Sequence, residues 1–259
     1  MLPWKRPTPH PLFATRAEDL LTEVRTDVEN RKGAPHGDDF KTRELWRREP
    51  HKSTLVGAEP WLAKCAWCEQ FRAPKRELDV EHYRPKALGK EWEGTPPIIS
   101  DTPPREKDVG AGHWWLAFSW ENYSLACKPC NEGWKRNLFP VVAPRPTCVE
   151  GVEVAEVPLL LDPGSTFRAA DHFRWTIDGI VEPVSPEGYA TIVTCGLNRT
   201  DLRVPRGKVA VKTTKALGRF VSALRRGDRG VRRDASGALA ELGSPAEERR
   251  SLRAWCAGS

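Results

Sequence analysis

Apolar positions along the chain fall into helical, strand-like and patternless stretches. Ala17, Leu20, Leu21, Val24 and Val28 recur at the spacing that keeps one helical face apolar, behind Thr15 and Glu18 at capping-box spacing and ahead of Gly33. A first helix is predicted at 15 to 32. A second helical stretch, 39 to 49, carries Phe40, Leu45 and Trp46, and a third segment with Leu55, Val56, Trp61 and Leu62 leads into Cys65. From Val152 to Leu197 the pattern is short and strand-like. There V-P-L-L-L-D-P precedes F-R-W-T-I-D-G-I-V-E-P-V, which alternates about the turn dipeptide Asp178-Gly179 and predicts a small hairpin. Helical spacing returns over 201 to 226, and 245 to 257 is read as a last helix. Between Ala87 and His113 glycine, proline and charge replace any apolar period, which predicts a mobile loop.

Composition narrows the class. A hydrophobic content of 39% suits an ordinary globular protein, and no stretch approaches the roughly 18 apolar residues that span a bilayer. Prolines interrupt the start, M-L-P-W-K-R-P-T-P-H-P-L-F, where a signal peptide would run continuously apolar, so a cytoplasmic and reducing location is expected. Charge is uneven. Residues 199 to 233 hold twelve lysines or arginines against two aspartates, whereas the whole chain carries only +6. Lys208, Lys212, Lys215, Arg219 and Arg226 recur on one helical face, while Ala210, Leu217, Phe220, Val221 and Leu224 populate the other. Such a stripe could follow a phosphate backbone or dock on an acidic protein surface.

Seven cysteines, an odd number in a reducing compartment, point to metal ligands or buried thiols rather than a disulfide framework. Cys65-x-x-Cys68 and Cys127-x-x-Cys130 are two knuckles able to complete one tetrahedron, for which Zn²⁺ is the natural occupant. Two disulfides or an iron centre would use the same spacing. Four protein ligands leave no open position, so this ion is expected to be structural. Cys148, Cys195 and Cys256 lack partners at ligand spacing, and the tryptophans after His113 read as core.

The segment between the knuckles carries chemistry. D-V-E-H-Y-R-P-K (79 to 86) reads as a strand placing Asp79 and Glu81 beside His82, and W-E-N-Y-S-L-A-C-K-P-C-N-E-G-W-K-R-N (120 to 137) as a strand running into a helix. An imidazole with an ordinary pKa near 6.5 accepts a proton from water at neutral pH, which carboxylates do poorly. Strand with histidine, loop, strand with asparagine, and a helix opening at C-x-x-C-N together resemble the ββα-metal core of HNH endonucleases. The resemblance implies an α+β fold in which a zinc-stapled core at 61–140 lies between an N-terminal helical segment, 1–60, and a C-terminal extension, 141–259, of hairpin and basic helix. It also implies His82 as general base, Asn122 as the residue orienting the histidine or its loop, and Glu81 with Asn131 as ligands of a catalytic ion. Asp79 is an alternative ligand. Carboxylate and amide oxygens without a second histidine suit Mg²⁺ or Mn²⁺. Neighbours on a regular strand face opposite ways, so a strand end or bulge is predicted at 81 to 82, and a flat strand through both breaks one of the two assignments. Arg84, Lys135 and Asn137 are candidate phosphate contacts, together with Lys208, Lys212, Lys215 and Arg219.

The likeness extends over residues 60 to 205. C-A-W-C-E, H-W-W-L-A-F-S-W-E-N-Y, L-F-P, P-L-L-L-D-P and C-G-L-N-R-T-D-L resemble the HNH nuclease subunit of Septu and retron-linked bacterial anti-phage systems. In those systems the nuclease works with an ATPase partner, so the resemblance implies cleavage of DNA, or of RNA, in defence. The contrasting class is a zinc-stapled module that binds nucleic acid or a partner without cutting.

Overall fold

The computed structural model describes residues 6–56, 64–72, 77–142, 150–151, 155–227 and 230. Trp61, Leu62, Cys148, Cys256 and the expected helix at 245 to 257 lie outside them.

The N-terminal platform opens with α1, Pro11–Arg31, four residues earlier than predicted. The His10 side chain, not Thr15, caps it by accepting from the Leu12 amide, and Pro11 takes the first turn, where its missing N–H costs nothing. Phe13, Leu20 and Val24 are its buried line. The expected helix at 39 to 49 is instead two single 3₁₀ turns, Gly37–Phe40 and Leu45–Arg47, followed by α2, His51–Val56. Their function is packing: Phe40, Leu45 and Trp46 are all buried.

The centre is a two-stranded antiparallel ladder. β1, Leu78–His82, pairs with β4, Tyr123–Cys127, in unbroken register from Leu78 opposite Cys127 to His82 opposite Tyr123. The expected strand end falls at His82, the last residue of β1, while no bulge interrupts the pairing of residues 81 and 82. β4 leads into Pro129–Lys135, wound as a π-helix.

The segment expected to be a mobile loop is a second ladder. β2, Leu88–Trp92, pairs with β3, Glu106–Ala111, with a register shift between Leu88 and Lys90. Its tip is tied down from the C-terminal half: Tyr189 Oη donates to the Pro96 carbonyl at 2.6 Å, Asn198 Nδ2 to that of Ile98 at 2.9 Å, and Asp101 accepts from Thr200. Apolar periodicity misses this hairpin because tertiary hydrogen bonds, not an apolar face, hold it.

The hairpin at Asp178-Gly179 forms as predicted from β5, Phe173–Trp175, and β6, Val181–Pro183, after the single turn α3, Ala169–His172. The strand-like reading fails just beyond it. α4 occupies Pro186–Cys195, capped by Ser185, whose hydroxyl accepts from the Gly188 amide. Seven of the ten α4 residues are buried, without a break from Ala190 to Cys195, which erases the helical period over that stretch. Gly196 ends the helix at φ 58°, and a Cβ there would lie 2.1 Å from the Trp134 ring, so only glycine fits.

α5, Thr200–Arg226, matches the predicted span, but its buried line is Leu202, Ala210, Thr213, Ala216 and Ala223. Leu217, Val221 and Leu224, expected to pack inward, are exposed. Among the described residues no helix is long and apolar enough to cross a membrane. One hydrophobic cluster joins Phe13, Trp46, Tyr123, Phe139, Leu160, Ile192 and Leu202, so all three segments contribute to the same core.

Candidate metal clasp and the two faces of strand β1

The four knuckle cysteines converge. The Sγ atoms of Cys65, Cys68, Cys127 and Cys130 lie within 4.8 Å of one another and are buried, with Cys68 and Cys127 3.8 Å apart. A tetrahedron with Zn–S near 2.3 Å has edges of about 3.8 Å, the Cys68–Cys127 separation, so the four thiols could hold an ion such as zinc. Among the described residues this is the only group of three or more His, Cys, Asp or Glu ligands close enough to share an ion. The first knuckle is shaped by the Glu69 amide donating to the Cys65 carbonyl at 2.9 Å, with Glu69 held at φ 61°. It is sewn to β4 by the Ala66 amide donating to the Leu125 carbonyl at 2.7 Å.

A residue not singled out from the sequence completes the clasp. Both terminal nitrogens of Arg199 donate to Cys130 Sγ at 3.4 Å, and Nη1 also reaches the Cys195 and Gly196 carbonyls. Arg199 stands at the N-terminus of α5, so the guanidinium ties the clasp to the basic helix while balancing thiolate charge. Its position in C-G-L-N-R-T was visible, but no spacing rule connects it to a cysteine 69 residues away.

Flat pairing sends Glu81 and His82 to opposite faces of β1. Glu81, 3% exposed, pairs with the fully buried Lys135 ammonium, which also donates to the His82 carbonyl at 2.9 Å. Burial pushes the Glu81 carboxyl up from its ordinary range, and the Lys135 charge opposes that rise. Lys135 was expected at a phosphate; burial and the Glu81 pair place it in the interior instead. Asp79, on the Glu81 face, is 3.5 Å from Lys52. Asn131 is partly exposed, as is Asn137, whose carbonyl accepts from the Lys90 amide. Glu81 thus has its charge matched by a lysine, and among the described residues it belongs to no group of three or more His, Cys, Asp or Glu ligands.

His82, 6% exposed, faces the aromatic side. Its ring meets the Trp46 indole edge-on at 4.5 Å and the Tyr123 ring at 5.1 Å. The Ala117 carbonyl accepts from His82 Nε2 at 3.0 Å and from Tyr123 Oη at 2.6 Å. A carbonyl can only accept, so Nε2 carries the proton and Nδ1 keeps its lone pair. Burial, then the nearby Lys86 charge, drive the His82 pKa well below its ordinary value, with Lys135 and Arg47 adding to the effect against the Ala117 bond. The ring is therefore neutral at physiological pH.

Asn122 braces the chain leaving β1. Its Oδ1 accepts from the Arg84 amide at 2.8 Å, and its Nδ2 donates to the Arg84 and Leu116 carbonyls. Arg84, expected at a phosphate, reaches Glu156 at 3.4 Å, and Glu156 also bonds His113 Nε2 at 2.7 Å, both side chains fully buried. Sequence reasoning missed Glu156, since one acid ahead of an apolar run carries no periodic signal. On α5, Lys208, Lys212, Lys215 and Arg219 are exposed. They lie among exposed Val204, Val211, Leu217, Val221 and Leu224.

Comparison with characterised proteins gives one relative. Over 171 residues, 64% of this chain, the sequence is 32% identical to the Septu protein PtuB of Bacillus mycoides strain KBAB4. The chain is similar to a Septu protein. It spans 53%, about half, of that relative's length. No family model matches, and no solved structure does.

Proposed function

We propose that this chain hydrolyses nucleic-acid phosphodiester bonds, with His82 taking the proton from the attacking water, as the nuclease component of a Septu-like anti-phage system. The observation that carries the reading is the His82 tautomer. Nε2 is committed to Ala117, which leaves Nδ1 of a neutral ring as the acceptor. Burial and the nearby cations keep that nitrogen unprotonated while lowering its basicity, and the same cations suit an anionic substrate, whose charge would raise the basicity again. Proton transfer to a positioned base contributes about 10²–10⁴ in rate. The thiolate clasp fixes β4, and β4 holds the register of β1, so the base is positioned from the opposite strand. Asn122 keeps the following loop in place and acts through position alone.

The resemblance to HNH endonucleases brings with it Mg²⁺ or Mn²⁺, which would offset charge on the phosphate. Glu81 is the carboxylate it assigns, and Glu81 would have to leave Lys135 to hold that ion. The Septu likeness also supports a protein partner, an ATPase in the systems this sequence resembles. The apolar residues exposed among the cations of α5 favour α5 as its docking face over a purely phosphate-following stripe.

The test incubates purified protein, and its His82→Ala variant, with plasmid DNA and with structured RNA in Mg²⁺ or Mn²⁺, alone and with a Septu ATPase. Loss of wild-type cleavage in the variant, at unchanged zinc content, supports the reading. Equal cleavage by both proteins, or none by wild type even with its partner, overturns it and leaves a zinc-stapled binding module.

A further inference from the structure

Lys86 lies four residues beyond His82 and has so far entered only as a nearby charge, although the proposed hydrolysis is what gives it a substrate. Its ammonium sits 4.8 Å from the centre of the Trp46 ring and 6.0 Å from that of Phe40. Trp46 is the same indole that packs edge-on against His82, so the lysine and the imidazole share one rigid aromatic support. The backbone on either side of Lys86 is pinned: the Pro85 carbonyl accepts from the His113 amide at 2.7 Å, and the Ala87 carbonyl from the Gly112 amide at 2.7 Å. Gly112 permits that approach, because a Cβ there would lie 2.4 Å from the Pro85 oxygen.

The charge on Lys86 is incompletely matched. Among the described residues no carboxylate lies within ion-pair distance of it; Glu81 and Glu44 act on it only from farther away, while Arg47 and Lys135 repel it. Burial is the largest influence on the group and lowers its pKa. Withdrawing an ammonium from water costs free energy unless an anion meets it, and an aromatic face returns only part of that cost. A lysine held this way, on the indole that packs against a neutral base, lacks an anionic partner among the described residues.

We propose that Lys86, steadied on the Trp46 indole, docks a non-bridging phosphate oxygen of a nucleic-acid strand and so presents the phosphodiester to the Nδ1 edge of His82. Lys86 is thus a substrate-binding residue, and Trp46 a positioning one.

Binding rather than cleavage tests it. Anisotropy of a short fluorescein-labelled DNA duplex and of the matching single strand is measured against salt, without added divalent ion, for wild type, Lys86→Gln and Lys86→Arg. Lys86→Gln should weaken binding about tenfold and flatten the log–log salt slope by about 0.7–0.9, the loss of one phosphate contact, while Lys86→Arg keeps the slope. A purely structural lysine would not change the slope. Should Lys86→Gln melt early or lose zinc, acetylation of wild-type Lys86, read by mass spectrometry, substitutes: bound oligonucleotide should protect it several-fold. Unchanged affinity and slope in folded Lys86→Gln, equal acetylation with and without oligonucleotide, or no wild-type binding to either probe overturns the proposal. Failure of the nuclease reading is separate, since it appears as undiminished cleavage by His82→Ala.

Discussion

On one face of β1 the Glu81 carboxylate lies against the Lys135 ammonium, and both are shut away from solvent. On the other face, one residue on, His82 keeps a nitrogen lone pair against the Trp46 indole that also carries Lys86, a lysine with no carboxylate at ion-pair distance among the described residues. The first face spends its charges on each other; the second holds them in reserve. A buried matched pair serves architecture, whereas an unmatched cation beside a neutral base is stable only because the surrounding packing holds it. Retaining such an arrangement is what a binding or catalytic site requires.

The harshest way to break this contrast is to remove the metal clasp that positions both faces. With zinc bound in the clasp, stripping the ion withdraws a binding free energy on the order of 10 kcal/mol, comparable to the stability of a whole domain, and Cys130→Ser removes one of its four ligands. Calorimetry should then show the main melting transition lost or greatly lowered, and a chain that melts unchanged without zinc would contradict the structural role. Next in size is the Glu81 face. Lys135→Met strands a buried carboxylate and should cost about 3–5 kcal/mol in urea unfolding, while Glu81→Leu in the same chain should restore most of it. If the single variant is as stable as wild type, the pair is not buried as described.

Arg199→Ala sharpens the link between clasp and α5. Loss of hydrogen bonds to a charged sulfur should cost about 1.5–3 kcal/mol and hasten zinc transfer to a chromogenic chelator. Unaltered transfer kinetics would remove Arg199 from the clasp. The smallest effect belongs to pH. Because the folded His82 pKa lies below the unfolded value, the unfolded chain binds more protons as pH falls through about 6.5, so stability declines on acidification by up to roughly 1.4 kcal/mol per pH unit. Its contribution is fully present above that pH and is lost as pH falls toward the folded pKa. His51, also lowered by burial, adds in the same direction, so the informative quantity is the flattening seen in His82→Gln.

What could be read from the sequence divides along physical lines. The four cysteines announce themselves because ligand spacing is local, and the Asp178-Gly179 hairpin and α5 because alternation and helical period survive where one side of an element meets solvent. The β2–β3 hairpin escapes because bonds from Tyr189 and Asn198, roughly ninety to a hundred residues away, hold it, and α4 because unbroken burial from Ala190 to Cys195 leaves no polar face there to mark the turn. At the site, His82 and Asn122 follow from motif order. That Glu81 would be met by Lys135, and that Arg199 would reach Cys130, depends on which side chains a fold brings together. The strand rule for neighbouring residues did foresee the central difficulty: a flat β1 separates Glu81 from His82.

The protonation state of His82 is the most direct check on this account. Long-range proton–nitrogen NMR of histidine-labelled protein should show Nε2 protonated and Nδ1 bare from pH 7 down to pH 6. An Nδ1-protonated tautomer, or an imidazolium at pH 7, would contradict it.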